Sequence, residues 1–356
     1  MRELARRDEL ALVGMAHAAP EGAAELANLG VEIEIESAPL GVLWQQLHLP
    51  RRLARGDIDL FWSPLLTLPN RLGVPGVVTI HDLAAIHHPE TLSLKIRWSL
   101  LPFLARTVEQ AARIVTVSHA VAGEIAAQWP AAGAKTVVIP NGVGPEFRPA
   151  DEVERAAIRA RLELPDRYLL YAGTVEPRKN LAVLLDAWER LRRERESTPP
   201  LVVAGPEGWG SAATERRMHA LASLGLRRLG HLPRPDLVDT LRAATILVYP
   251  SFYEGFGLPP LEALACGVPP VVANRSSLPE LVGDAGFLFD PDAADELHSL
   301  LATLLDSPGT LAAAAARGVH RARTFTWTNA AYSLSCLFRE VLAEVRPPTA
   351  NSGRRK

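Results

Sequence analysis

The sequence predicts an α/β protein of two Rossmann-like domains facing each other across a cleft. Three observations carry that reading. Its 356 residues are too many for one ordinary core and suit two domains of roughly 150 residues each. Short β-branched runs alternate with longer stretches of helical period, the pattern of parallel sheets joined by βαβ units. Near the middle, the segment from Ile139 to Pro149 holds three prolines and two glycines, which interrupt any regular element and read as a linker.

Strand candidates in the first half are Leu10–Met15, Val31–Ile35, Ile58–Trp62, Val77–Ile80, Ile114–Val117 and Val137–Ile139. In the second half they are Tyr168–Ala172, Leu201–Ala204, Ile246–Tyr249, Val271–Ala273 and Phe287–Phe289. After Lys179, the residues Leu181, Leu184, Leu185, Trp188 and Leu191 keep to the i, i+3, i+4, i+7 stripe of an amphipathic helix, with Arg190, Arg192 and Arg193 on its wet side. Domains are expected over 1–145 and 146–328, then a helix over 329–345 packing back toward the first domain, then a disordered polar tail over 346–356.

Composition excludes several classes. With 48% hydrophobic and 22% charged residues the chain has ordinary globular usage. A formal net charge of −2 exerts no global pull on nucleic acid or an anionic membrane, so an anion site has to be a local cluster. Only four of the 38 basic residues are lysines (Lys95, Lys135, Lys179 and Lys356), so a lysine inside a motif stands out. Cys266 and Cys336 have no CxxC spacing, which argues against a disulfide scaffold and for a reducing, cytoplasmic compartment. The opening Met1–Leu10 has charges where a signal peptide needs its apolar run. No stretch of 18 apolar residues suits a membrane span.

The chemistry concentrates in the second half. From Ser251 to Ala263 the chain leaves a strand and enters a helix. Gly255 and Gly257 allow a ligand close to the backbone, and Pro259 and Pro260 suit a first helical turn. A helix start offers unpaired N–H groups and about half a positive charge to a phosphate. Glu254 and Glu262 flank it, each able to accept hydrogen bonds from a pair of sugar hydroxyls. The plain alternative is a glycine loop with a solvated glutamate. After the strand Tyr168–Ala172 comes Gly173-Thr174-Val175-Glu176-Pro177-Arg178-Lys179-Asn180. Arg178 and Lys179, adjacent at a βα mouth, can supply a fork and a point charge to a departing diphosphate. Otherwise they are an exposed basic pair opposing the helix dipole. In the first half His81 ends the buried strand Val77–Ile80. A lone histidine there is more often a structural hydrogen-bonder, and Asp82 can simply cap the next turn of chain.

Other features take the plain reading. Asp57-Ile58-Asp59 and Asp290-Pro291-Asp292 spell DxD, but Asp57 is expected to begin a strand and Asp292 to cap a helix. His87-His88 lacks a second ligand pair and reads as loop. Gly205 to Gly210 lacks the order of a dinucleotide fingerprint, which disfavours a dehydrogenase on the same fold. The basic amphipathic stretch Leu94–Phe103 reads as a packed helix, with weak peripheral contact at the inner membrane face as the alternative.

Glu254 to Glu262, with the downstream Gly267-Val268-Pro269, resembles the E-x7-E signature of the large retaining glycosyltransferase family called group one or family four. Gly173-Thr174-Val175-Glu176-Pro177-Arg178-Lys179-Asn180 and Thr79-Ile80-His81-Asp82-Leu83 are similar to its other landmarks, above all in bacterial mannosyltransferase-like members. The resemblance runs from about Ile58 to Phe338. It implies the two-domain GT-B fold and retaining transfer from a nucleotide-diphosphate sugar, GDP-mannose foremost, to a glycan or lipid-linked acceptor in polysaccharide biosynthesis. It also implies that no metal or cofactor takes part; that nucleic acid is not a partner follows from the net charge instead. By motif position it assigns Arg178 and Lys179 to the diphosphate, Glu254 to the donor sugar, Glu262 to the ribose and His81 to a donor-sugar hydroxyl. Gly173, Gly255, Phe256, Gly257 and Leu258 complete the donor site.

Two departures stand out. Thr174 sits where many members have arginine, which shifts phosphate load to Arg178. The opening residues read as the end of the helix that should come after a glycine-rich loop, so the first βα unit of the pattern is expected to be missing. A missing unit raises a rival reading: a nucleotide-sugar-binding protein with little or no transfer.

Overall fold

The structure is a computed structural model that describes residues 1–20, 22–38, 41, 44–89 and 94–345, with backbone only over 94–101. The tail 346–356, expected to be disordered, lies outside the described residues. So do the side chains 94–101 on which the membrane-contact alternative rests. The chain divides into two compact units. One comprises Met1–Val117, Val121–Pro140 and the residues from Trp327 onward; the other comprises Ser118–Ala120 and Asn141–Thr326.

In the first unit β1 (Val13–Ala16) and β2 (Glu32–Ile35) form a parallel pair. β3 (Phe61–Ser63), β4 (Gly76–Ile80), β5 (Arg113–Thr116) and β6 (Thr136–Val138) form a parallel sheet in that order. Side chains alternate across a strand, and the core shows it. Val78, Ile80 and Ile114 pack on one face with Leu68, Leu83, Leu104, Val108 and Ile125. Val77 and Val115 pack on the other with Leu4 and with Leu334, Leu337, Phe338 and Val341 of the helix Trp327–Val345. Burial on both faces makes β4 apolar but for Thr79, whose hydroxyl accepts from Trp62 Nε1 at 2.9 Å. Leu94–Gln110 is a helix that contributes Leu104 and Val108 to this core, the packed-helix reading of that stretch. Arg2–Ala5 forms a helical turn whose Leu4 is buried in the second cluster.

The second unit holds β7 (Leu169–Ala172), β8 (Leu201–Ala204), β9 (Arg227–Gly230), β10 (Ile246–Tyr249), β11 (Pro270–Ala273) and β12 (Phe287–Phe289). All pairs are parallel, and the order is β12-β11-β10-β7-β8-β9. The winding reverses between β7 and β10. In an open α/β sheet such a reversal parts the crossovers and opens a crevice at the carboxyl ends of those strands. β9 is absent from the strand candidates: Arg227 and Arg228 spoil its apolar signature, which an edge strand with one neighbour tolerates. The helix Leu181–Glu194 buries Leu181, Leu184, Leu185, Trp188 and Leu191 as the periodicity requires, and Val183 and Ala187 besides. Arg190 and Arg193 are exposed and ion-paired. Arg192 departs from the wet face, its Nε donating to the Leu224 carbonyl at 3.0 Å and its Nη1 to that of Thr198 at 2.8 Å. No helix of the described residues is long and apolar enough to cross a membrane.

Candidate functional site

Chemistry gathers at the switch point of the second unit. Beyond β7 the chain passes Gly173 and makes a short 3-10 turn, Pro177–Lys179. Asn180 then takes a left-handed conformation (φ 51°, ψ 38°) before the helix Leu181–Glu194, a conformation asparagine tolerates better than most residues. Its buried Nδ2 donates to the Pro291 carbonyl at 2.8 Å. Beyond β10 the chain runs from Ser251 to Gly257 and enters the helix Leu258–Ala265, with Pro259 and Pro260 in the first turn. Gly257 is required by its φ of +100°, and a Cβ there would also press on Leu278 Cδ2, 2.8 Å away.

The two loops are joined backbone to backbone. Phe252 N donates to the Arg178 carbonyl at 3.0 Å, and Arg178 Nη1 donates to the Tyr253 carbonyl at 2.5 Å. The loop after β8 lies against them, since a Cβ on Gly205 (φ +134°) would fall 2.0 Å from the Gly173 carbonyl oxygen. Gly208 N donates to Val175 O at 3.0 Å. From the turn after β11, Ser276 and Ser277 donate to the Glu254 carbonyl at 2.5 and 2.9 Å, and Ser277 also reaches Phe256 O at 3.0 Å. Four loops therefore hold one another at the carboxyl edge of the sheet.

Charge sits in the middle of this frame. Lys179 Nζ donates to Glu254 Oε1 at 2.5 Å and to the Tyr249 hydroxyl at 2.9 Å, two of its three N–H donors. Tyr249 in turn donates to Glu254 Oε1 at 2.9 Å. Arg178 Nη2 donates to Glu176 at 2.7 Å, and its Nη1 lies 3.6 Å from Glu254 Oε2. Glu254 is only 8% exposed. Burial resists its ionisation more than any other single influence, yet the charges of Lys179 and Arg178, with hydrogen bonds from Lys179 and Ser251, hold its carboxyl below the ordinary range. Burial, and then the Glu254 charge, push the Tyr249 phenol well up, so its hydroxyl stays protonated.

Beside the charges lies a row of donors. Among the described residues no acceptor faces the backbone N–H groups of Gly255, Phe256, Gly257 and Leu258. These groups and the helix dipole are suited to an anion. The Phe256 side chain is buried, edge-on to Phe325 at 6.0 Å, whereas Leu258 is exposed. Glu262 lies on the second turn of the helix. Among the described residues its carboxyl makes no hydrogen bond or ion pair. Burial pushes it up to about 7, with Arg234 pulling it down and Glu146 pushing it further up.

Nine of the ten expected site residues thus belong to the second unit. The tenth, His81, directly follows β4 in the first unit, exposed, with Nε2 3.0 Å from the Pro64 carbonyl. Asp82 accepts from Ala84 N at 2.9 Å, the local capping contact expected of it. Three readings are corrected. Asp57 does not begin a strand: β3 starts at Phe61, and Asp57 pairs with Arg52 at 2.6 Å. Asp292 does not cap the helix Ala294–Leu305 but pairs with Arg275 at 3.1 Å. His87 ends a short helix, Ala84–His87, rather than lying in a loop, and stands 3.5 Å from Glu124.

Sequence reasoning gives no site role to Tyr249, Glu176, Ser276, Ser277, Gly205 or Gly208. The two glycines carry a usable signal, as glycines directly after a strand mark close backbone approach. Tyr249 carries none, because at the end of an apolar strand it reads as one more core residue.

Known proteins resemble this chain in sequence and in fold. Residues 154–321 match the family of glycosyl transferases group 1, and residues 1–147 match glycosyltransferase family 4. The O-antigen chain mannosyltransferase B of Escherichia coli is 34% identical over 301 residues, covering 82% of this chain and 78% of that protein. The D-inositol 3-phosphate glycosyltransferase of Rhodococcus jostii (strain RHA1) is 35% identical over 288 residues, covering 74% of this chain and 61% of that relative. Among solved structures, Anabaena HepE in complex with UDP and glucose aligns over 95% of this chain and 94% of its own. The TM-score is 0.73 at 19% identity, a likeness of fold.

Proposed function

The chain belongs to the group 1, family 4 glycosyltransferases, and we propose on that premise that it transfers mannose from GDP-mannose to a glycan or lipid-linked acceptor. In this proposal anomeric configuration is retained and no metal ion takes part. The bond between the anomeric carbon and the diphosphate oxygen breaks, its electron pair staying with the diphosphate; a bond forms to the acceptor oxygen, whose hydroxyl proton leaves with the diphosphate. One observation carries the reading. Arg178 and Lys179, fixed at the mouth of β7, adjoin a loop whose N–H groups at Gly255 to Leu258 lack acceptors among the described residues.

Preorganised donors of this kind stabilise the charge that develops on a leaving diphosphate, each contributing about 3–4 kcal/mol. Arg178 and Lys179 take the place a divalent cation would otherwise fill. Glu254 receives sugar hydroxyls and Glu262 the ribose. The part of His81 in holding the donor sugar is supported by the resemblance alone. Mannose is supported by the mannosyltransferase relative.

The test is turnover with a panel of nucleotide-diphosphate sugars and of mannosyl and lipid-linked saccharide acceptors, in excess chelator, with the product anomer read by NMR. GDP-mannose should be consumed and its anomeric configuration kept. An inverted product, or a strict need for added magnesium or manganese, overturns the mechanism. Binding without turnover on any acceptor supports the rival, a nucleotide-sugar-binding protein.

A further inference from the structure

Glu254 confronts the proposed chemistry with a difficulty. A carboxylate 8% exposed competes with any diphosphate for Lys179, and stripping a buried charge of its partner is costly. Arg178 Nη1 stands 3.6 Å from Oε2, but Oε1, the oxygen that Lys179 would leave, has its own second partner. Tyr249 closes β10 at the switch point, 1% exposed, and its hydroxyl lies 2.9 Å from both Lys179 Nζ and Glu254 Oε1. The phenol accepts from the ammonium and donates to the carboxylate, a neutral group able to do both. Its place is set from two sides. The Tyr171 ring stacks on it at 6.4 Å and 19°, tied by its own hydroxyl to the Thr174 carbonyl at 2.9 Å. Lys179 Nζ lies 5.3 Å from the Tyr249 ring centroid, beyond the hydroxyl that it bonds. Buried on a central strand, Tyr249 is the fixed corner of this triangle, and the flexible four-carbon stem of Lys179 is what lets its ammonium turn.

We propose that Tyr249 is a positioning residue whose hydroxyl keeps the Glu254 carboxylate partnered while Lys179 turns from it to the diphosphate of the nucleotide substrate. This rests on the reading of Lys179 as a diphosphate ligand. Without the hydroxyl, Glu254 would hold Lys179 more tightly, and the loss would fall on the diphosphate rather than on the rest of the nucleotide.

The experiment uses whichever of GDP, UDP and ADP the full chain binds best, together with its monophosphate, and reads the ratio of the two affinities by calorimetry. Tyr249→Phe, which keeps the ring, should lower that preference for diphosphate by about tenfold, the worth of one hydrogen bond to a charged group. In a Glu254→Gln background, where no buried charge competes for Lys179, the same change should alter the preference less than about threefold. A wild-type preference in Tyr249→Phe, or an equal loss in both backgrounds, overturns the proposal. If Tyr249→Phe alone does not fold, Glu254→Gln and the double variant are compared: equal preference supports the proposal, and a tenfold loss or an unfolded double variant overturns it. Lys179→Ala separates the two claims. An unchanged preference there sinks the diphosphate reading and this proposal with it. A lowered preference beside an indifferent Tyr249→Phe sinks the positioning role alone.

Discussion

Glu262 makes the proposed site sensitive to pH in a direction that can be worked out. Its carboxyl ordinarily titrates at 4.5 but in the folded chain is pushed up to about 7, chiefly by burial. The folded state then holds the proton more tightly than the unfolded one. Stability is therefore greatest below 4.5 as far as this group is concerned, and falls as pH rises from 4.5 through 7. At 1.36 kcal/mol per unit the loss is at most about 3 kcal/mol. Glu262→Gln removes the titration. Its thermal midpoint should match the wild type near pH 4.5 and exceed it increasingly toward pH 8.

Nucleotide binding should move the other way, because only the ionised carboxylate accepts from both ribose hydroxyls. With a midpoint near 7, about a tenth of the carboxyl is ionised at pH 6 and about nine tenths at pH 8, so affinity for GDP should rise close to tenfold. The assay is calorimetric titration of GDP across that range for wild type and Glu262→Gln in parallel, since the terminal phosphate of GDP titrates there too and only the difference belongs to Glu262. Parallel pH slopes for the two proteins would refute the reasoning.

Two further outcomes concern the loops. Gly205→Ala places a Cβ 2.0 Å from the Gly173 carbonyl at a φ of +134°, so the loop bearing Arg178 and Lys179 must shift; about 2–4 kcal/mol of stability should be lost, with GDP affinity, by denaturation and calorimetry. Asp57→Ala and Asp59→Ala should leave GDP-mannose turnover in chelator within about twofold of wild type, since Asp57 is engaged by Arg52 and surface changes of this kind act weakly.

The amino-acid order makes legible whatever depends on near neighbours. Leu169–Ala172 and Ile246–Tyr249 announce themselves because both faces of a central parallel strand are buried and every residue is apolar. The helix after Lys179 comes from its spacing, and the anion site from glycines, prolines and a scarce lysine at strand ends. The misses share a different cause. β9 carries Arg227 and Arg228 because an edge is paired on one side only. Asp292 looks like a cap by local rule, yet Arg275, across the turn from β11, claims it. Tyr249 meets Lys179 only because β10 lies beside β7 in the sheet, a pairing that no local pattern states. Ser276 and Ser277 brace Glu254 for the same reason. Strand order, more than residue type, separates the legible part of the site from the rest.

The central claim is that Arg178 and Lys179 carry the charge of a departing diphosphate. The measurement closest to it is turnover of GDP-mannose by Arg178→Ala and Lys179→Ala, with circular dichroism confirming that each variant keeps its fold. Each should fall by about a hundredfold or more, the effect of removing one preorganised donor. Folded variants that turn over donor at near the wild-type rate would contradict the account.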